Sequence, residues 1–208
     1  MRRQPIAIAL AAAVLLGAAA PAPDDRGRPN AADIGFSQDM AVHHDQAVLM
    51  ARLVRDSASP SPRIRQLASQ IEANQIQEIG MLRGWLVLWN QPALAPAPMQ
   101  WMHGPAGDHD PSLMGSHDMA AMSNHTVADG APMPGLASQA ELDALQAAKG
   151  NEVDKLFLRM MIKHHLGGIF MMRAVQKAAA LPAVRAIARN MEMEQAQEIV
   201  YMGKLQLP

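Results

Sequence analysis

The sequence MAVHHDQAVLM occupies residues 40–50, and its pattern returns as MIKHHLGGIFM at residues 161–171. Each stretch has a Met three residues before a His-His pair and a second Met seven residues after the first His. A helix turns about 100° per residue, so the two Met and two His of each stretch fall within an arc of roughly 120°, the width of one buried face. The middle of each arc is a small residue, Ala47 or Gly168, which leaves space between the imidazoles. Both stretches predict a helix whose sulfur and imidazole groups face inward.

The Met and His residues on these two faces are predicted metal ligands. Thioether and imidazole groups suit Cu(I), and the chain contains 17 Met and no Cys, so a soft ion would have to be bound by Met and His. Met is also ordinary core filler, and a lone buried His is commonly structural. Duplication of the whole set favours ligation over packing. The predicted ligands are Met40, His43, His44, Met50, Met161, His164, His165 and Met171.

A second helix follows each of these helices, and it is duplicated too. The two helices are predicted over residues 62–89 and 182–205, each after a break that contains Pro. Each carries a Gln and a Glu three residues apart on its apolar stripe. A buried carboxylate costs several kcal/mol unless it is paired, and an imidazole N–H is the natural partner. The residues predicted to orient the imidazoles are Gln75, Glu78, Gln195 and Glu198.

The chain divides into five predicted parts. The first resembles a secretory signal, with paired Arg, an apolar run too short for a comfortable membrane span, and a small-residue cleavage site. Within the two hairpins, helices are predicted over residues 33–57, 62–89, 138–148, 151–180 and 182–205. The parts are a signal peptide (1–22), a disordered lead-in (23–32), a first helix hairpin (33–90), an irregular insert (91–136) and a second helix hairpin (137–208).

The insert has no helical periodicity and is rich in Met, His, Pro and Gly. Its Met and His residues are predicted to capture metal as flexible arms, in which His would also bind Cu(II). A disordered linker whose Met and His are incidental is the alternative. The predicted auxiliary ligands are Met99, Met102, His103, His109, His117, Met119, Met122 and His125.

Two duplicated hairpins predict an all-α protein, a four-helix bundle. The motifs Met40-x-x-His43-His44, Gln75-x-x-Glu78 and MMIKHHLGG at residues 160–168 resemble those of the bacterial "domain of unknown function 305" family, over roughly residues 33–205. The resemblance implies a ferritin-like four-helix fold and export. It also implies a link to copper, because some members of the family are periplasmic copper-binding proteins associated with copper resistance.

The predicted function is that of an exported protein, periplasmic or extracellular, that binds and buffers copper and prefers Cu(I). The 18 Lys and Arg nearly balance the 19 Asp and Glu, which argues against a nucleic-acid partner. No integral membrane span is predicted after signal cleavage, the sequence identifies no protein partner, and no nucleophile with a matching base suggests an enzyme. Because His binds metal when neutral, copper affinity is predicted to fall as the pH drops through about 6.5.

Two alternative functions remain open at this point. One is a non-metal interaction or pH-sensing bundle, in which a buried His and Glu network fixes the helix register or responds to acid. The other is a carboxylate and His metal oxidase. The oxidase is disfavoured because such sites use Glu-x-x-His motifs, and the chain contains none.

Overall fold

The computed structural model describes residues 27–57, 60–102 and 132–206 of the chain. These residues contain helices and no strand, which confirms the predicted all-α class. The predicted signal peptide, residues 1–22, lies outside the described residues. The described elements are α1 (Ala31–Asp56), α2 (Pro62–Leu88), a 3-10 turn (Gln100–Met102), α3 (Gln139–Ala147), α4 (Asn151–Ala178) and α5 (Pro182–Leu205).

The four long helices form two antiparallel hairpins that pack into one bundle. Helix α1 packs along α2, α4 packs along α5, and the hairpins meet where α1 contacts α4. The side-chain amide of Asn30, at the start of α1, donates to the carbonyl of Ala178 at the end of α4 (2.9 Å), so these two helices are also antiparallel. This arrangement is the predicted four-helix bundle of two hairpins. None of the described helices is both long and apolar enough to cross a membrane.

Capping chemistry sets the start of α1. The Asn30 side chain accepts the N–H of Asp33 at 2.9 Å, and the Asp33 carboxylate accepts the N–H of Asn30 at 2.8 Å. This capping box starts the helix at Ala31, two residues before the predicted position, so residues 31 and 32 belong to the first turn and not to the lead-in. The other predicted helix boundaries agree with the structure to within two residues.

Two aspartates join the hairpins in a reciprocal way, which we call the aspartate clasps. Asp33 in α1 accepts the backbone N–H groups of Ala180 and Leu181, which lie between α4 and α5, each at 3.1 Å. Its counterpart in the second repeat is Asp154, 121 residues later in α4, which accepts the N–H of Ser61 between α1 and α2 at 3.1 Å. Each repeat thus supplies the acceptor for the turn of the other repeat.

Two apolar clusters fill the bundle, one toward each end. One contains the C-terminal half of α1 and the N-terminal half of α4, with Phe157 fully buried. The other contains the opposite halves of these helices, with Phe36 fully buried. The two His-His pairs lie between the clusters in both helices, so a polar layer interrupts the apolar core at its centre.

The described start of the insert is anchored to α1. Asp39, which is buried, accepts the N–H of Met99 at 2.7 Å and the indole N–H of Trp101 at 2.9 Å. Gln38 donates from its side chain to the carbonyl of Pro92 at 2.8 Å. Burial raises the pKa of Asp39, and the two donated hydrogen bonds oppose that rise. These contacts hold the first part of the insert against one end of the bundle.

Candidate metal centre

The four predicted His ligands converge in one layer at the centre of the bundle, which we call the histidine layer. All four side chains are fully buried. The rings of His43 and His164, from α1 and α4, have centroids 3.8 Å apart. Each of these inner rings is 6.3 Å from the ring of its chain neighbour, His44 or His165. Two pairs that are 121 residues apart in sequence therefore form one group of imidazoles.

The outer histidines contact carboxylates from α2 and α5. Nε2 of His165 donates to Oε2 of Glu198 at 2.6 Å. Nε2 of His44 lies 2.9 Å from Oε2 of Glu78, with poorer alignment than the His165 contact. A carboxylate accepts hydrogen bonds, so the contact with Glu198 assigns a proton to Nε2 of His165, and the negative charge of Glu78 favours a proton on the nearby Nε2 of His44. In a neutral ring, that arrangement leaves a lone pair on Nδ1.

The inner histidines donate to backbone carbonyls. Nε2 of His43 donates to the oxygen of Pro134, and Nε2 of His164 donates to the oxygen of His43, each at 3.0 Å. A carbonyl can only accept, which assigns the proton of both rings to Nε2. Burial lowers the pKa of His43 to about 3, and the neighbouring His44 contributes to the decrease. Burial, followed by the charge of His43, holds the pKa of His164 well below its usual value. Both inner rings are neutral at pH 7 with a lone pair on Nδ1.

The histidine layer contains many buried polar atoms that have no hydrogen-bond partner among the described residues. They include all four Nδ1 atoms, Nε2 of His44 and both side-chain amide atoms of Gln195. The amide of Gln75, which is also buried, has no partner among the described residues either. The position that a Cβ on Gly168 would take lies 2.9 Å from Oε1 of Gln195 and 3.4 Å from Cε1 of His43, so Gln195 borders the layer. Each such atom costs about 1–3 kcal/mol, and native structures contain few of them. Their concentration in one layer is typical of a site that a ligand completes.

The four predicted Met ligands lie in the apolar clusters on either side of the histidine layer. Met40 and Met171 belong to one cluster, whereas Met50 and Met161 belong to the other, and all four are fully buried. Each cluster therefore contains one predicted sulfur ligand from each repeat.

A further methionine, Met172, lies at the edge of the layer and was not predicted. Its Cε is 3.6 Å from the position that a Cβ on Gly168 would take. Met172 follows Gly168 by four residues and so shares its helix face. Its counterpart in the first repeat is Ala51, 121 residues earlier, so a search for duplicated residues passes over it.

Two of the eight auxiliary ligands predicted in the insert fall within the described residues. Met99 packs, partly buried, against the apolar cluster that contains Met40, and Met102 ends the 3-10 turn. Neither is placed in the histidine layer by any described contact. The other predicted auxiliary ligands lie outside the described residues; they are His103, His109, His117, Met119, Met122 and His125.

The histidine layer provides donor atoms without a closed coordination sphere. Across residues 27–57, 60–102 and 132–206, no group of three or more His, Asp or Glu side chains is already arranged to hold a metal ion. Two imidazoles bound to one ion through N–metal bonds of about 2.0 Å have ring centroids roughly 5–6 Å apart. His43 and His164 are closer than this, at 3.8 Å, so a shared ion would have to separate their rings.

Carboxylates gather on the side of the layer that faces α2 and α5. Asn74 on α2 donates to Glu194 on α5, and these two residues occupy equivalent positions in the two repeats. Burial raises the pKa of Glu194, and the nearby charges of Glu78 and Glu198 raise it further. Three carboxylates near one another produce a negative potential that attracts cations to this side of the bundle.

Comparison with known proteins places the chain in a family. Residues 33–206 match the sequence profile of a family described as Domain of unknown function (DUF305). A DUF305 protein from Streptomyces coelicolor, inferred to be secreted, has 32% identity and a TM-score of 0.68, over 84% of this chain and 91% of that chain. A DUF305 fragment from Deinococcus radiodurans has 25% identity and a TM-score of 0.63, over 86% and 97% of the two chains.

A more distant likeness extends to CopM, solved in a Cu(I)-bound form. CopM has 23% identity and a TM-score of 0.58, over 83% of this chain and 94% of that chain, and at this identity the likeness shows a shared fold. No curated protein sequence matches the chain significantly. Because the family profile spans nearly the whole described region, the chain belongs to the DUF305 family.

Proposed function

We propose that this protein binds copper, with a preference for Cu(I), in its histidine layer. The observation that carries the proposal is the set of four fully buried imidazoles whose Nδ1 atoms have no partner among the described residues. Neutral imidazole and thioether are the ligands that suit Cu(I). Buried methionines belong to the apolar clusters on both sides of the layer, and their sulfur atoms would add to the donors that the imidazoles supply.

Each group has a distinct role in the proposed site. The Nδ1 atoms of the four His would be candidate nitrogen donors, and Met40 and Met171 on one side or Met50 and Met161 on the other would be candidate sulfur donors. One Cu(I) ion would take only some of these donors. Glu198 holds the imidazole of His165 by its Nε2 atom, a role that commonly fixes ring orientation in metal sites. Glu78, 2.9 Å from Nε2 of His44, would do the same for His44 after a small adjustment of the contact. The amide of Gln195 borders the layer near His43, and we propose that Gln75, its counterpart in the first repeat, has the same role.

The inner histidines change the expected pH dependence of binding. The sequence predicted that copper affinity falls as the pH drops through about 6.5. Because burial lowers the pKa of His43 to about 3, we expect little competition from protons at this ring near pH 6.5, and a weaker pH dependence of copper affinity than the sequence alone predicts. The same reasoning holds for His164, whose pKa is also lowered. A site that uses these rings keeps its ligands neutral in mildly acidic surroundings.

Related proteins support the proposal without defining its residues. CopM has been solved in Cu(I)-bound, Cu(II)-bound and Ag-bound forms, so at least one protein with this fold binds soft ions. We further propose that the protein is exported and buffers copper in the periplasm or outside the cell. The signal-like residues 1–22 and the similarity to the Streptomyces coelicolor protein support export.

A competition titration with Cu(I) and a coloured chelator tests the proposal. The mature protein is compared with a variant in which His43, His44, His164 and His165 are changed to Ala. We expect the wild type to withdraw Cu(I) from the chelator and the variant to lose most of this capacity. A folded variant that competes as well as the wild type would refute the proposed site. A second variant, in which the insert residues His103, His109, His117 and His125 are changed to Ala, measures how much of the capacity depends on the insert; we expect it to keep the capacity of the histidine layer.

A non-metal bundle with a buried His and Glu network is the rival function. One observation favours it: the described residues contain no preformed group of three His, Asp or Glu ligands. Thermal unfolding with Cu(I) separates the two functions, because an ion that binds the folded state raises its stability with concentration. An unchanged melting temperature at excess Cu(I) would favour the rival. The carboxylate and His oxidase remains the disfavoured alternative, because the chain contains no Glu-x-x-His motif.

A further inference from the structure

A short buried segment, residues 133–137, crosses the contact between α1 and α4 beside the inner histidines; we call it the strap. All five of its residues are buried. Its far end is held by Gln46 of α1, whose side-chain amide donates to the carbonyl of Ala137 at 2.9 Å and accepts its N–H at 2.7 Å. The strap is the described end of the insert, and it leads directly into α3.

Two glycines bring the backbone of the strap onto the backbone of α4. A Cβ on Gly167 would overlap the carbonyl of Pro134, and a Cβ on Gly135 would lie 2.6 Å from the carbonyl oxygen of Lys163. Gly135 also has a φ of +78°, a conformation that side chains strongly disfavour. This close approach places the Pro134 carbonyl 3.0 Å from Nε2 of His43.

The strap breaks the twofold symmetry of the bundle. Gln46 and Gly167 occupy equivalent positions in the two repeats, yet one anchors the strap and the other admits it. The two inner histidines differ in the same way. His164 donates to a carbonyl of α1, whereas His43 receives its acceptor from the strap. Equivalent positions of the two repeats therefore have different contacts, because the chain contains only one strap.

We propose that Gly167 and the Pro134 carbonyl are positioning groups of the metal centre, which hold His43 with its proton on Nε2 and its Nδ1 lone pair free for the ion. The consequence for copper affinity rests on the proposed function. The claim about the ring rests on the metal-free geometry alone. A segment that merely covered the core would not decide which ring nitrogen of His43 carries the proton.

The test compares Gly167→Ala with Gly84→Ala in the full mature chain. At Gly84, on α2, an added Cβ meets no atom within 4 Å, so this variant controls for the change from Gly to Ala in a helix. Ring ¹⁵N and ¹H NMR of the metal-free protein should show His43 with a single, slowly exchanging Nε2–H in the wild type and in Gly84→Ala. In Gly167→Ala this proton should exchange rapidly and the ring shifts should become averaged, while the signals of His164 persist.

Cu(I) competition supplies the second measurement. Loss of a group that orients a ligand typically lowers metal affinity about 10- to 100-fold, and we expect this decrease for Gly167→Ala and none for Gly84→Ala. If circular dichroism shows that Gly167→Ala does not fold, Gln46→Leu takes its place, since it loosens the strap without a steric clash.

Each outcome bears on the proposal. A wild-type His43 with its proton on Nδ1, or a strap variant in which either the ring signals or the affinity stays unchanged, would overturn the positioning role. A wild type that binds no Cu(I) would instead remove the proposed function, and the NMR comparison would still decide whether the strap fixes the ring.

Discussion

Replacement of Gln195 by Leu should stabilise the metal-free protein. The Gln195 side chain is 3% exposed, and neither atom of its amide has a partner within the described ranges. Leu has a similar volume and no polar atoms. Its counterpart Gln75, 2% exposed and equally unpartnered, should behave in the same way. The direction is unusual, because most substitutions of buried residues destabilise a protein.

The expected size of the effect follows from the two unpartnered atoms. A buried polar group without a hydrogen bond costs about 1–3 kcal/mol, and the amide of Gln195 carries both a donor and an acceptor in this state. Two such atoms at the lower end of this range give about 2 kcal/mol. We expect Gln195→Leu to raise the free energy of unfolding by about 2 kcal/mol, which corresponds to an increase of about 4–8 °C in Tm for a domain of this size.

Gln46→Leu is the matched control, because it makes the same chemical change where the amide is bonded. Gln46 makes two hydrogen bonds to the backbone of Ala137, at 2.7 and 2.9 Å, and their loss should lower the free energy of unfolding by about 1–3 kcal/mol. Urea unfolding, followed by circular dichroism with a metal chelator present, measures both variants. If Gln195→Leu destabilised the protein as much as Gln46→Leu, the amide of Gln195 would have partners after all. The reasoning that identifies the layer as a binding site would then fail.

Three other perturbations have defined outcomes. The free energy of unfolding of the metal-free protein should fall as the pH decreases from about 6.5 toward 3, by up to about 1.4 kcal/mol per pH unit for His43. The cause is that His43 binds a proton in the unfolded chain but not when its ring is buried. A free energy that does not change with pH in urea unfolding would contradict the burial of a neutral His43 ring. Asp33→Ala should lower the free energy of unfolding by about 2–4 kcal/mol, because three backbone N–H groups lose their acceptor. Asp154→Ala should lower it less, because only one N–H group loses its acceptor. Equal losses in thermal unfolding would argue against this account. Glu198→Ala should weaken Cu(I) binding about 10- to 100-fold by releasing His165, and unchanged competition would show that this contact does not serve the metal.

Duplication made the bundle and its central layer predictable from sequence. Two His-His pairs at equivalent positions on apolar faces can both be buried only if the hairpins close on one another. The partnership of Glu198 with an imidazole was predictable for a related reason, because a carboxylate on an apolar stripe requires a hydrogen-bond donor. The start of α1 at Ala31 could also have been predicted from the sequence, because Asn30 and Asp33 have the spacing of a capping box.

Features that differ between the repeats escaped prediction. The contact between Pro134 and His43 joins residues 91 positions apart through a loop backbone, for which no periodicity exists. Gly167 and Gly168 both resemble spacers beside the imidazoles, but only Gly168 borders His43, whereas Gly167 admits the strap. Helical spacing also gives the direction of a side chain and not the distance between rings. The sequence therefore could not predict the 3.8 Å separation between the ring centroids of the inner histidines.

The aspartate clasps bear on what each hairpin requires from the other. In each hairpin, the N–H groups of the turn are accepted by a carboxylate of the other hairpin. One hairpin alone would therefore lack these acceptors. A homodimer of two identical hairpins would form the same pair of contacts, so the clasps need no covalent link between the two repeats. The contacts around Pro134 obey no twofold axis, because the strap exists once in the chain, and a homodimer of identical hairpins without this linker could not form them. The aspartate clasps are thus symmetric between the two repeats, whereas the strap contacts distinguish one repeat from the other.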